Sequence, residues 1–411
     1  MNVTECRICK AEPLFEVLDY GRMALANSYL PDASAIPDEP FFPMALCLCE
    51  QCGYVQINEE VSPDVLFKNY LYTSGVSEAV RQHGTLLFSM VARVLGENHQ
   101  QTPFIMEAAS NDGTILSVFQ RSGWRVLGID PAENVAAIAN ARGVETVPDF
   151  FGRESALRIA QRAGRADVVL ARHVIAHVAA LHDFVEGIGL ALHDEGMAVI
   201  ECSHVLPFYK GVQYDQAYHE HLGYFSVTVL KRLLSMHGLN LFAVETIGMH
   251  GGSIVAFAQK AGAKRSYQGS VERIMQEEAV CGLSRREAWQ NFALRAHRQK
   301  EALVDELSAL KRAGKRIVAY GAAAKGQVMF QFCGIGRDVI DFVVDKSELK
   351  QGRLTPGTHI PILEPEELLK RRPDVLLLCS WNFVEEIRRQ QKEYLEQGGR
   401  LLHPLPLPHY V

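Results

Sequence analysis

The sequence predicts an α/β protein in three parts, a small zinc module followed by two doubly wound units of strand and helix. Three observations predict it. Cys6-Arg7-Ile8-Cys9 and Cys49-Glu50-Gln51-Cys52 are paired C-x-x-C knuckles. Phe104 to Asp130 reads as strand, tight turn, helix and a second strand ending in an acid, and Arg316 to Asp345 repeats that order. A chain of 411 residues is long enough for two or three separate cores. The expected limits are 1–72 for the module, 73–260 for the middle unit and 261–411 for a helical connector with the carboxyl-terminal unit.

Composition narrows the partners. A formal net charge of −6 without clustered Lys and Arg argues against nucleic acid. No apolar run is long enough to span a bilayer, and Met1 to Lys10 is polar where a signal peptide needs an apolar core. A cytoplasmic protein without a membrane partner is expected. Its nine cysteines then read as ligands or core residues rather than disulfides.

In the module, Cys6, Cys9, Cys49 and Cys52 satisfy tetrahedral thiolate coordination of zinc with all four positions filled, the closed form of a structural site. Free core cysteines are the other reading, and Cys47 is an extra thiol nearby. The interval between the knuckles carries Pro13, Pro31, Pro37, Pro40 and Pro43, and is expected to be a loop or irregular excursion. Tyr70 and Tyr72 follow, two apart in a cluster that also holds Ser74, and would face the same way in an extended segment. Packing of the module on the next unit accounts for them equally well. A helix is expected over 78–95.

The middle unit opens with the strand Phe104 to Ala109, the turn Ser110-Asn111-Asp112-Gly113, a helix over 114–122, the strand Arg125 to Asp130 and a helix over 132–142. Asp130 is placed to accept hydrogen bonds from ribose hydroxyls. The turn has Ala108, Ala109 and Asn111 where a pyrophosphate needs close backbone approach, which favours S-adenosylmethionine over NAD. Next come the strand Asp167 to Ala171, His173 and His177 beyond its end, a helix to about His193 and the strand Met197 to Glu201. Leu239–Glu245 and Ser253–Ala258 read as a closing strand pair. This alternation suits a methyltransferase, and its count alone also fits a dehydrogenase.

Lys260 to Lys315 is polar with helical periodicity, a helical connector. The carboxyl-terminal unit then has a strand over 316–320, the turn Gly321 to Gly326, a helix to Cys333, strands over 339–345 and 374–379, a helix opened by Ser380-Trp381-Asn382-Phe383 and a strand near Leu401. Lys325 beside two glycines at a helix start suits a phosphate, and a turn needed only for strand–helix packing fits as well.

Within the middle unit, Tyr218-His219-Glu220-His221 packs two imidazoles, a carboxylate and a phenol into four residues, which reads as acid–base equipment. A satisfied polar cluster or part of a metal site are the competing readings. The run follows the strand ending at Glu201, so it belongs to the ligand-bearing rim of the middle sheet.

Taken together these segments resemble the sugar C-methyltransferases of bacterial deoxysugar pathways. The likeness runs the length of the chain: the paired knuckles, Tyr70-Leu71-Tyr72-Thr73-Ser74, Ser110-Asn111-Asp112-Gly113, Tyr218-His219-Glu220-His221, His250-Gly251-Gly252-Ser253, Tyr320-Gly321-Ala322-Ala323-Ala324-Lys325-Gly326 and Ser380-Trp381-Asn382-Phe383 before Pro404-Leu405-Pro406. Two positions depart from the family pattern. Ala109 stands where glycine is usual, and His173 stands where asparagine is usual.

The resemblance implies a class I methyltransferase Rossmann-like middle domain, a second Rossmann-like domain and S-adenosylmethionine-dependent methylation of a carbon next to the ketone of a nucleotide-linked 4-keto-6-deoxyhexose, at carbon 3. Such a carbon acid needs a base at carbon and donors at the carbonyl oxygen. His221 is the expected base, with Glu220 orienting it or binding a sugar hydroxyl. Tyr218, Tyr72 and His177 are candidates to hold the ketone oxygen or its neighbouring hydroxyl, and for His177 a supporting place behind them fits equally. Glu107, Ser110, Asn111, Asp112, Gly113, Asp130, Ser74 and His173 are expected at the cofactor. Lys325, Tyr224, Trp381 and Asn382 are expected at the nucleotide sugar. His219 and His250 are read as structural. A non-sugar acceptor, a nicotinamide-dependent oxidoreductase built on the unit from Arg316, and a non-enzymatic zinc protein are the alternatives.

Overall fold

The structure is a computed structural model and describes residues 3–62, 66, 78–96, 102–266 and 268–411. Tyr70, Tyr72 and Ser74 lie outside the described residues. The interval between the knuckles is not the loop expected from its prolines. It folds as two long antiparallel strands, β1 (Phe15–Ala24) and β2 (Phe41–Leu48), with β3 (Val55–Ile57) added beside β2. Pro31, Pro37 and Pro40 fall in the connection between the strands, and Pro43 lies where β2 has β1 as its neighbour but has not yet met β3. A missing N–H costs no ladder bond at such places.

The middle sheet contains β4 (Phe104–Ala108), β5 (Arg125–Ile129), β6 (Thr146–Val147), β7 (Ala166–Arg172) and β8 (Leu192–Ser203), all parallel. The short β9 (Gly223–Tyr224) leaves this sheet and pairs antiparallel with β3, which joins the module to the middle unit. β10 (Leu239–Ile247) and β11 (Ser253–Lys260) are the antiparallel pair expected, with β11 inserted between β10 and β8. The order β10-β11-β8-β7-β4-β5-β6 reverses direction between β4 and β7, and ligands of such sheets bind beyond the strand ends at that reversal. The helix Glu78–Leu95 forms as expected and buries Val80, Leu87, Met90 and Val91 on one face. The helix expected to reach His193 stops at Ala191, because β8 begins at Leu192.

The connector contains one 27-residue helix, Arg286–Arg312, about 40 Å long at the usual rise. Its buried residues Trp289, Phe292, Ala296, Gln299, Leu303, Leu307 and Leu310 recur every three or four positions, and it packs on β1. The last sheet has the order β14-β13-β12-β15-β16-β17, from β12 (Ile317–Tyr320), β13 (Val343–Val344), β14 (Ile362–Leu363), β15 (Val375–Leu378), β16 (Arg400–His403) and β17 (His409–Tyr410). The strand expected over 339–345 shrinks to β13, because the amides of Val339 and Ile340 are turned onto the Gly336 carbonyl. One continuous apolar core includes Leu46 and Ile57 of the module, Phe208 and Tyr214 of the middle segment, and Val343 and Leu377 of the last sheet.

The two α/β units fasten their first turn with the same device. Asp130, beyond β5, accepts from Asn111 N at 2.8 Å and Ala132 N at 2.9 Å. Asp345, beyond β13, accepts from Ala322 N at 2.7 Å and Ser347 N at 2.8 Å. In the second unit the Ala322 carbonyl is already taken by the Tyr29 hydroxyl and by Lys350 Nζ at 2.7 Å. A dinucleotide pyrophosphate needs that turn bare.

Candidate active site and zinc module

At the switch point the chain leaves β4 through Ala109 and Asn111, both left-handed with φ of 55° and 52°. The Ser110 amide donates to the Ile129 carbonyl at 3.2 Å. Gly128 opposite is bare because a side chain there would come within 2.3 Å of Ser110 Oγ. Asp112 is paired with Arg142 at 2.9 Å, and Gly113 N returns to the Ser110 carbonyl at 3.2 Å. Glu107 is fully buried, 3.7 Å from Arg172, and burial, opposed by Arg172, raises it to about 8. Neither of its carboxylate oxygens, nor Ser110 Oγ, has a hydrogen bond among the described residues. Buried acceptors of this kind call for donors, and the ammonium and ribose hydroxyls of S-adenosylmethionine supply them. The residues present therefore fit that cofactor.

His173 follows β7 with φ of 52°, and its ring meets Glu201 Oε1 at 2.8 Å. His83, on the helix Glu78–Leu95, meets the other oxygen at 2.8 Å. Burial alone would raise Glu201, yet His173, His83 and Arg172 outweigh it and hold this carboxylate far below its ordinary range. The His250 ring stands edge-on to His173 with centroids 4.5 Å apart. Both departures from the family pattern, Ala109 and His173, thus occupy left-handed backbone, where glycine and asparagine are the least strained residues.

Beyond β8 the chain reaches the His-Glu-His run. His221 is half-buried, and its Nδ1–H donates to the Gln216 carbonyl at 3.0 Å. That fixes the tautomer and leaves the lone pair on Nε2, 2.7 Å from the Tyr218 hydroxyl. Burial first, then His177, push His221 well below its ordinary value, so it is neutral at pH 7. The His177 ring lies 4.9 Å from it and is lowered to about 4 by burial and then by His173. His219 is buried against the Pro43 carbonyl at 3.2 Å and the edge of Phe42.

Two expectations need correction. Glu220 does not orient His221; the backbone of Gln216 does, and Glu220 Oε1 instead accepts from Asn27 Nδ2 at 2.8 Å. Tyr224 is not open to a sugar. It is buried in β9 with its hydroxyl on the same Gln216 carbonyl at 3.2 Å, and so helps fix the acceptor that fixes His221.

The three carboxyl-terminal residues singled out do meet, but on Asp215 of the middle segment. Trp381 Nε1 donates to Asp215 Oδ2 at 2.6 Å, Lys325 Nζ donates to Asn382 Oδ1 at 2.5 Å, and the Lys325 amine sits 4.4 Å above the Trp381 ring. Burial raises Asp215 to about 6 against Lys325 and Trp381, and burial lowers Lys325 to about 8 against Asp215. Gly251 borders this cluster, where a side chain would strike Trp381 within 2.6 Å. Sequence reasoning missed Glu201, His83, Asp215 and Asn27. A lone carboxylate closing an apolar strand was a signal for Glu201; nothing local marked Asn27.

In the module, the Sγ atoms of Cys6, Cys9, Cys49 and Cys52 all lie within 4.8 Å of one another, with Cys6–Cys52 at 3.6 Å and Cys9–Cys49 at 3.4 Å. A zinc–thiolate tetrahedron has edges of about 3.8 Å, so the set fits. Donation from the Cys52 thiol lowers Cys6, and the same shared proton raises Cys52, so the pair holds one thiolate between them. The His182 ring donates to the Ile8 carbonyl inside the first knuckle at 2.8 Å and meets His237 at 2.8 Å. Cys47 is buried apart from the set. No described helix is long and apolar enough to cross a membrane.

Comparison with known proteins matches three family models in succession: a zinc binding domain over residues 6–67, a methyltransferase domain over 80–244 and a C-methyltransferase C-terminal domain over 248–406. The C-methyltransferase NovU of Streptomyces niveus is 34% identical over 409 residues, spanning 100% of this chain and 97% of that protein. Among solved structures, the 1,6-didemethyltoxoflavin-N1-methyltransferase of Burkholderia thailandensis aligns with a TM-score of 0.37 and 15% identity, over 53% of this chain and 95% of that one. The magnesium protoporphyrin IX methyltransferase of Synechocystis PCC 6803 aligns with a TM-score of 0.34 and 10% identity, over 48% of this chain and 89% of that one.

Proposed function

The chain belongs to the C-methyltransferase family, and from that premise we propose that it methylates the carbon next to the ketone of a nucleotide-linked 4-keto-6-deoxyhexose, at carbon 3. It is an S-adenosylmethionine-dependent enzyme with a structural zinc module, which removes the nicotinamide and non-enzymatic readings. The observation that carries the substrate reading is the His221–Tyr218 pair. A half-buried, neutral imidazole with one nitrogen fixed on a carbonyl and a lone pair held on a phenol is a base suited to a carbon acid.

S-adenosylmethionine supplies an electrophilic sulfonium methyl. Glu107, Ser110, Asn111, Asp112, Gly113 and Asp130 would hold it beyond β4 and β5, with Ser74 and His173 at its edge. Tyr218 takes a different part from the one expected of it at the ketone oxygen: its oxygen takes the proton from the sugar carbon while its own proton passes to His221 Nε2, the base. The electron pair left on the substrate becomes an enolate, with Tyr72 a donor to its oxygen, while His177, whose single N–H is on the Glu220 backbone, takes the supporting place behind His221. Glu220 accepts a hydrogen bond from a sugar hydroxyl. Lys325, Asn382 and Trp381 would meet the nucleotide diphosphate, and the units spanning 1–72, 73–260 and 261–411 would together form the substrate site.

The test is incubation with methyl-labelled S-adenosylmethionine and a panel of 4-keto-6-deoxy sugar nucleotides. Label in a C-methyl group, with loss of deuterium from carbon 3, is expected. Transfer to none of the panel, with the cofactor still bound by calorimetry, would overturn the sugar reading.

A further inference from the structure

The zinc module reaches the catalytic run. The loop after β1 is fastened to the carboxyl-terminal unit at both ends: Ala24 N donates to Gln331 Oε1 at 2.7 Å, and Leu30 exchanges backbone hydrogen bonds with Leu354 at 3.1 and 2.9 Å. Between these anchors Tyr29 donates to the Ala322 carbonyl. Asn27, in the same loop, is thereby presented to Glu220, 193 residues away, and donates to its Oε1 at 2.8 Å.

We propose that Asn27 is a positioning residue of the active site, through which the zinc module favours the carboxylate form of Glu220 and aims it at the substrate. This rests on the placement of Glu220 at the sugar hydroxyl. Glu220 is 5% exposed, and Asn27 is its hydrogen-bond donor. Burial raises Glu220 to about 7, and the Asn27 amide opposes that rise by donating to the charged form. The other titratable groups around it are the Tyr29 phenol of the same loop, His177, whose ring is hydrogen-bonded to the Glu220 backbone, and the flanking His219 and His221. His177, His219 and His221 are all lowered by burial, so none of them offers Glu220 a cation at pH 7. Among the described residues, the amide is the side-chain donor to its charge. This gives the module a part in the chemistry that a zinc with four thiolates does not have on its own.

Replacing Asn27 by Ala removes the donor, and replacing it by Asp keeps the shape while setting a second carboxyl against Glu220. Infrared titration of full-length protein labelled with ¹³C-glutamate, with Glu220→Gln to assign the band, reads the carboxyl directly. In Asn27→Ala the midpoint is expected to rise by about 1 pH unit, the scale of one hydrogen bond to a charged group. In Asn27→Asp, which has no cavity to destabilise it, the rise is expected to be larger. Zinc content and cofactor affinity should stay unchanged in both. An unmoved midpoint in Asn27→Asp overturns the proposal whatever the substrate proves to be. If the midpoint moves and the acid limb of kcat/KM moves with it, both readings stand. A moved midpoint beside an unmoved limb leaves Asn27 controlling Glu220 and removes Glu220 from the sugar.

Discussion

The Tyr218 hydroxyl lies 2.7 Å from His221 Nε2, and the opposite nitrogen of that ring is tied to the Gln216 carbonyl. An imidazole held in this way has one place for a proton. His221→Asn should therefore lower methyl transfer about 10³-fold, within the range of a lost general base, and leave the calorimetric affinity for S-adenosylmethionine intact. Tyr218→Phe should cost about 10²-fold. Near-normal turnover in either variant refutes the relay. Because burial keeps His221 well below its ordinary value, lowering the pH from 8 to 6 should not titrate it, and the acid limb should follow Glu220 near 7.

Ala109 carries left-handed backbone strain of about 1 kcal/mol that glycine lacks. Ala109→Gly should raise stability by about that amount in denaturant titration. His173→Asn relieves the same kind of strain but gives up the 2.8 Å bond to Glu201, so it should end less stable than Ala109→Gly. The reverse ranking would show that Glu201 does not need His173.

Glu201 is fully buried between His83 and His173, and breaking such a pair costs about 3 kcal/mol. Glu201→Gln should destabilise the chain by that order at pH 7. The pH dependence follows from the depressed folded value. The contribution is present above the ordinary value of 4.5 and is lost as pH falls through the folded one, so wild type and variant should converge in acid. A gap that stays constant down to pH 3 would show that the lost packing, not the charge, is responsible.

Cys49→Ser removes one corner of the zinc tetrahedron. Metal analysis should fall from one zinc per chain to a substoichiometric value, and methyl transfer should fall with it, because β3 pairs with β9 and the module's Asn27 touches Glu220. Full activity in zinc-free protein would separate the module from the chemistry.

The sequence by itself determined the knuckles, the two strand–turn–helix units, the helix Glu78–Leu95, the closing β10–β11 pair and the crowding of titratable groups in Tyr218 to His221. These are local patterns, set by side-chain spacing within a few residues, and they remain visible without the fold. What only the tertiary structure decided was which groups meet. Gln216 replaced Glu220 as the partner of His221 because a backbone carbonyl leaves no trace in side-chain chemistry. Asn27 reached Glu220, and Trp381 reached Asp215, across 193 and 166 residues. Contacts over such separations depend on how the sheets pack, and no spacing in the chain encodes them. The prolines between the knuckles misled for the same reason, since a proline is harmless in a strand wherever the neighbouring strand asks nothing of its nitrogen.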